Sequence, residues 1–224
     1  MKRLALLLPL SLILLAGCQK EDPQTFAPSS GGTATKSPEV AINPDEPITF
    51  FATEEEYDAW THISGIVNRF TACDVPYKRL SSMTTQALAK SIMNYPLNYI
   101  VFAYDDPQTA IDLILKHSSL HQELLSRDGA GKYIVSLYSA ASLDMSLDKS
   151  NFDGDYSCLS YTNSMFMDYF IGSGHVPGLS EPSVKKQLMS AVEKKIEFRK
   201  SQPDVFSWFS IQPLYDIQEM LGVR

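Results

Sequence analysis

Residues 53–70 read Thr-Glu-Glu-Glu-Tyr-Asp-Ala-Trp-Thr-His-Ile-Ser-Gly-Ile-Val-Asn-Arg-Phe, and this stretch decides the fold class. Thr53-Glu54-Glu55-Glu56 is a capping box, in which the Thr53 hydroxyl accepts from first-turn amides and Glu56 reaches back. Three acids in the first turn suit the positive end of a helix dipole. Tyr57, Trp60, Ile63, Val67 and Phe70 then recur at spacings of three and four. That period predicts a helix with one apolar face.

The same period repeats outward from there. A helix is expected from Thr84 to Tyr95, with Leu88, Ile92 and Tyr95 in register. It must stop before Pro96, because a residue preceding proline is pushed out of the helical region. Leu97 to Tyr104 is apolar almost throughout and reads as a buried helix, since its neighbours are helical. Asp106-Pro107 opens the next helix, with Asp as cap and Pro in the first turn. It carries Ile111, Ile114, Leu115, Leu120 and Leu124, with a break near Ser118-Ser119. Asp128-Gly129 turns the chain into a helix bearing Tyr133, Ile134, Leu137, Tyr138 and Ala141. Residues 142–155 form the longest irregular stretch, and a helix is expected over 156–171, ending at Gly172. Ser180-Glu181-Pro182 opens the longest helix, which ends before Pro203. Its apolar stripe is Val184, Leu188, Ala191 and Ile196, with Lys185, Lys186, Glu193, Lys194 and Lys195 placed outside it. The tail 204–221 reads as two short helices split at Pro213. No pair of alternating runs is joined by a hairpin turn. The expectation is an all-α fold: a single irregular multi-helix domain over 49–224.

Ahead of it, residues 19–47 hold five prolines, many Ser and Thr, and no apolar periodicity. Such a segment buries too little to offset its ordering entropy and reads as a disordered tether. Its typical span is about 30 Å. At the start, Lys2 and Arg3 precede an apolar run from Leu4 to Ala16 that is too short to cross a bilayer of about 30 Å. A basic start, a short apolar run and a small-residue exit make a signal-peptide pattern. The exit, Leu15-Ala16-Gly17-Cys18, resembles the lipobox of bacterial lipoproteins. That resemblance implies cleavage after residue 17, acylation of Cys18 and a membrane anchor, with residues 18–48 as lipidated cysteine and tether. The following Lys20, Glu21 and Asp22 resemble the export signal of surface-displayed Bacteroidota-type lipoproteins. The location implied is the outer membrane, lipid-anchored and facing the cell surface, with a periplasm-facing anchor as the alternative.

A second resemblance lies in the domain. Leu80 to Leu88, Asn94-Tyr95-Pro96-Leu97, Phe102 to Gln108 and Leu124 to Asp128 resemble a recurring segment of uncharacterised extracytoplasmic proteins of gut bacteria. It implies a helical domain and a similar location, and brings no activity with it.

Composition narrows the functions. Losing Lys2 and Arg3 with the signal, and no acid, takes the formal net charge from −7 to −9. An acidic chain without a Lys/Arg cluster argues against nucleic acid, which demands a basic stripe. With Cys18 acylated, Cys73 and Cys158 remain in an oxidising compartment, where a disulfide between them and two buried free thiols are both open. A bridge closing about 85 residues would contribute about 4–5 kcal/mol.

Each motif of possible chemistry is incomplete. His117 and His121 share a helical spacing beside Glu123, yet no third and fourth ligand follow and helix-end histidines are the plainer reading. Asn151, Asp153 and Asp155 follow the start of a calcium loop, but Tyr156 and Thr162 stand where Gly and Glu belong. Cys158 and His175 could form a thiol–imidazole pair, without any surrounding fingerprint. No metal or cofactor is expected, and no catalytic residue is assigned. The leading expectation is a surface-tethered module binding a protein, peptide or glycan. An envelope hydrolase with a spatially assembled site, and an immunity or accessory lipoprotein, are the alternatives.

Overall fold

The computed structural model describes residues 43–143 and 159–223, and among them every regular element is helical. The α-helices are α1 Glu54–Thr61, α2 Ile66–Ala72, α3 Tyr77–Ser82, α4 Thr85–Met93, α5 Pro107–His117, α6 Ser119–Leu125, α7 Ala130–Ala140, α8 Tyr161–Gly172, α9 Pro182–Lys200 and α10 Trp208–Met220. A 3₁₀ segment spans Pro96–Phe102. The fold is all-α. None of the described helices is long and apolar enough to cross a membrane.

Helices start where short polar side chains cap them. Thr53, Thr84, Ser118 and Ser160 each accept from the backbone N–H three residues on, and Asp106 accepts from Gln108 N. Glu56 does reach back, but to the amide of Ala52, at 2.7 Å, rather than to that of Thr53.

Several expected elements differ. The apolar stripe from Tyr57 to Phe70 is not one helix, because the chain turns at Gly65, whose φ of 81° no helix continues through. Arg69 supports that turn. Its Nη2 donates to Thr61 O at 2.7 Å and its Nε to Ile63 O at 2.9 Å, satisfying carbonyls that a helix end leaves orphaned. Val67 consequently faces outward, 52% exposed. The apolar run after Pro96 is the 3₁₀ segment, tighter than the expected helix. The helix expected from residue 156 begins at Tyr161, behind its Ser160 cap. Pro213 does not split the tail; α10 runs through it. The ring costs one hydrogen bond to Phe209 O. Packing of α10 against α8 and α9 offsets that loss, and Pro213 and Leu214 are buried there. Residues 43–48, assigned to the tether on composition, lie against the domain: Pro44 O accepts from Thr84 N, and Ile48 N donates to Ser91 Oγ.

The core runs through α4, α7, α8, α9 and α10, with Leu88, Ile92, Val135, Phe166, Phe170, Leu188, Val192 and Leu214 fully or almost fully buried. In it α8 packs on α10, α10 on α9, α9 on α7 and α7 on α4, while the 3₁₀ segment packs on α5 and α8. One contact is tight enough to test. A Cβ added at Gly131 would stand 2.1 Å from Pro177 O, which belongs to the loop joining α8 and α9. Gly131→Ala is therefore expected to cost about 1–3 kcal/mol through forced backbone movement. Urea unfolding reads it directly. A change below about 0.5 kcal/mol, the usual range of a surface substitution, would show that the loop yields freely.

Candidate functional site

Helix α8 carries an aspartate one turn after the buried Ser164, and the fold buries it completely. Asp168 Oδ1 accepts from Tyr138 Oη of α7 at 2.5 Å and from Lys195 Nζ of α9 at 3.3 Å. Its Oδ2 accepts from Arg199 Nη2 at 2.5 Å, and Arg199 Nη1 donates to Ser210 O of α10. Lys195 Nζ also lies 3.7 Å from the centroid of the Tyr138 ring. Three helices thus meet on one carboxylate, and Arg199 ties in a fourth.

Placing Lys195 here corrects the expectation that it lies outside the apolar stripe of α9. Lys195 and Arg199 are 5% and 1% exposed. With Val184, Leu188 and Ala191 they continue the spacing of three and four, so the signal was present in the sequence. Reading every charged residue as solvated concealed it. The electrostatics follow from burial. Desolvation alone would raise the Asp168 carboxyl, but Arg199 and then Lys195 outweigh it and hold the group below the usual carboxylate range. Burial lowers Lys195 to about 8 against the opposing pull of Asp168. Tyr138 is driven well above its ordinary value, first by burial and then by Asp168. Each carboxylate oxygen has a donor and each cation a carboxylate, so the cluster is a saturated junction between helices.

Asp168 also backs onto a cleft. This cavity of about 150 Å³ lies between the start of α5, the end of α8 and the middle of α10, where Asp106, Gln108, Tyr169, Ser173, Pro213 and Asp216 line it. At its rim Gln108 Nε2 donates to Asp112 Oδ1 at 2.7 Å, and His175 Nε2 stands 3.4 Å from the same oxygen. Asp216 Oδ1 accepts from Gln212 Nε2 at 2.7 Å. Tyr169 packs on Phe209, their rings 6.1 Å apart, and Trp208 packs on Tyr215 at 5.6 Å. Trp208 and Phe209 remain 63% and 50% exposed. The cleft therefore passes into an aromatic surface carried by α10.

The residues singled out from the sequence fall elsewhere. His117 and His121 do not share a helix: α5 ends at His117, and Ser118 closes α5 and caps α6. His117 packs on Phe70 at 5.3 Å. His121 is not an exposed helix-end residue but fully buried, ringed by Tyr95, Phe166 and Phe170 at 4.9 to 5.9 Å. Its Nδ1 is 2.8 Å from Ser118 Oγ, and burial lowers the imidazole to about 3. Among the described residues no three His, Cys, Asp or Glu side chains are grouped to hold a metal. Cys73 is buried at the end of α2 and forms no disulfide with a described residue. Burial pushes its thiol up to about 12, which leaves it inert as a nucleophile at neutral pH. Cys158, its expected partner and the partner proposed for His175, lies outside the described residues. So do Cys18, Lys20, Glu21, Asp22, Asn151, Asp153 and Asp155.

No protein-family model matches the chain, and comparison with curated proteins and with solved structures finds no match either. Function must be argued from the site.

Proposed function

We propose that the chain is a lipoprotein of the outer membrane, anchored through acylated Cys18 and displayed on the cell surface, whose helical domain binds a protein, peptide or glycan. The order of residues 2–22 supports the anchor and the display. The observation that carries the binding role is the aromatic surface of α10. A domain that buries Phe70, Phe166 and Phe170 leaves Trp208 and Phe209 half or more in solvent, beside Val205 at 52%. Exposed apolar surface of this kind, next to a polar cleft, is the mark of an interaction site.

Protease shaving of intact cells tests the location. The tagged wild type is expected to lose its domain to external protease, while a variant with Lys20, Glu21 and Asp22 each replaced by Ala is protected. If neither is cut in intact cells while both are cut in lysates, surface display is wrong and the partners are periplasmic. Arrays of peptides and glycans probed with wild type and Trp208→Ala test the binding role. Ligands retained by the wild type should be lost from the variant.

A hydrolase is the second reading, favoured by the His175–Asp112 pair at the cleft rim, an arrangement in which a carboxylate orients an imidazole base. Chromogenic esters, amides and glycosides decide it. Turnover abolished by His175→Ala supports this reading, and no turnover, or turnover surviving the substitution, removes it.

A further inference from the structure

We infer that the cleft between α5, α8 and α10 takes the cationic side chain of an arginine or lysine from a partner polypeptide, whose neighbouring apolar residues cover Trp208 and Phe209. This rests on the binding role proposed above and names the partner's chemistry.

Size limits the occupant first. At about 150 Å³ the cavity is well below the roughly 300–1,000 Å³ of sites for drug-sized ligands. One long side chain fits such a space, and a folded cofactor does not.

Charge decides which side chain. Asp106 and Asp216 line the cleft, Asp112 is hydrogen-bonded to the lining residue Gln108, and among the described residues no lysine or arginine lines it. Behind the wall, Lys195 and Arg199 are both committed to Asp168, leaving one net positive charge against Asp106, Asp216 and the adjacent Asp112. A groove lined by Lys186 and Lys194 is a separate one, between α7 and α9. With a chain of net charge −7, an anionic partner at this cleft would be repelled.

The lining chemistry matches a cation in detail. Tyr169 offers an aromatic wall, which attracts ammonium or guanidinium groups. Gln108 Oε1, Ser173 Oγ and the aspartates offer acceptors to the five donors of a guanidinium. Outside the cleft, Trp208 and Phe209 supply the large apolar anchors that dominate protein interfaces. A cation for the cleft and apolar neighbours for the aromatic surface together describe a basic, apolar segment of polypeptide rather than a free small cation.

The test uses the full chain and labelled, end-blocked peptides with a central arginine flanked by Leu and Phe, beside versions with citrulline or Glu in its place. Citrulline keeps the shape and removes the charge. Neutral oligosaccharides of glucose and N-acetylglucosamine form a second arm. The arginine peptide is expected to bind about tenfold more tightly than the citrulline peptide. Asp216→Asn, a substitution on the solvent face of α10, should erase most of that preference. Trp208→Ala should weaken both peptides alike. Equal binding of arginine and citrulline peptides, or a preference indifferent to Asp216→Asn, overturns the cation assignment. If the oligosaccharides bind in a Trp208-dependent way and the peptides do not, the site is a glycan site and the binding role survives without this inference. If no probe responds to Trp208→Ala, both fail.

Discussion

Asp168→Asn is expected to destabilise the domain by about 3–5 kcal/mol, a large fraction of the 5–15 kcal/mol by which a domain of this kind is stable. The substitution is nearly isosteric, so no cavity forms. What it removes is the one carboxylate that Tyr138, Lys195 and Arg199 all face. Two cations would remain buried with no counter-charge, and an amide nitrogen would point at groups that are themselves donors. Breaking a buried ionic group from one side costs far more than the net worth of the group, because the partners stay desolvated. Partial rescue separates this cause from general disruption. Lys195→Met alone leaves Asp168 with Arg199 and Tyr138 and should cost about 1 kcal/mol or less, the scale of one hydrogen bond. In the Asp168→Asn background the same change should recover stability, since it removes one of the stranded charges. Urea unfolding of the four proteins reads the coupling. Additive effects of the two substitutions would mean that Lys195 and Asp168 do not stabilise one another.

Acid is expected to weaken the domain by about 3 kcal/mol between neutral pH and pH 4.5, through His121. The unfolded chain takes up a proton on this side chain near pH 6.5, while burial holds the folded imidazole neutral down to about 3. The unfolded state therefore binds more protons over that whole window, and stability falls as pH falls from 6.5 towards 3. Two pH units below 6.5, at about 1.4 kcal/mol each, give the stated loss. Among the described residues no carboxylate pairs with His121 to stabilise its charged form. Aromatic rings surround it, and its Nε2 has no hydrogen-bond partner. His121→Phe puts an apolar ring in an aromatic pocket and should flatten the dependence of the urea midpoint between pH 7 and 4.5. An unchanged slope in the variant would assign the acid sensitivity to other groups. Above about pH 7.5 the histidine is neutral in both states and no longer contributes to the slope.

Local chemistry explains what was legible without the fold. Thr53 and Asp106 were readable as caps because a cap acts on amides two or three residues away, entirely within one stretch of chain. The stripes of α4, α5 and α9 were readable for the same reason. Together they determined an all-α fold. The break at Gly65 was not read from the stripe, whose spacing of three and four runs on through it. Whether the helix broke there depended on Arg69, which satisfies Thr61 O and Ile63 O while its Nη1 donates to Tyr99 Oη of the 3₁₀ segment at 2.7 Å.

The candidate site was scarcely legible at all. Asp106, Tyr169 and Asp216 are far apart in the chain, and no spacing rule relates a residue that opens one helix to residues on two others. Burial of Lys195 and Arg199 was equally hidden, although both continue the stripe of α9. A lysine in a stripe is stable there only if a carboxylate meets it, and that carboxylate comes from α8, 27 residues earlier in the chain. By itself the sequence determined where helices begin, which faces are apolar, and the order of residues that argues for an anchor at Cys18. Tertiary structure alone decided which charges are buried, where α10 leaves its aromatic residues in solvent, and that three helix segments enclose an acidic cleft. The physical reason is that capping and periodicity act over a few residues, whereas pairing of buried charges and enclosure of a cleft are properties of elements packed together.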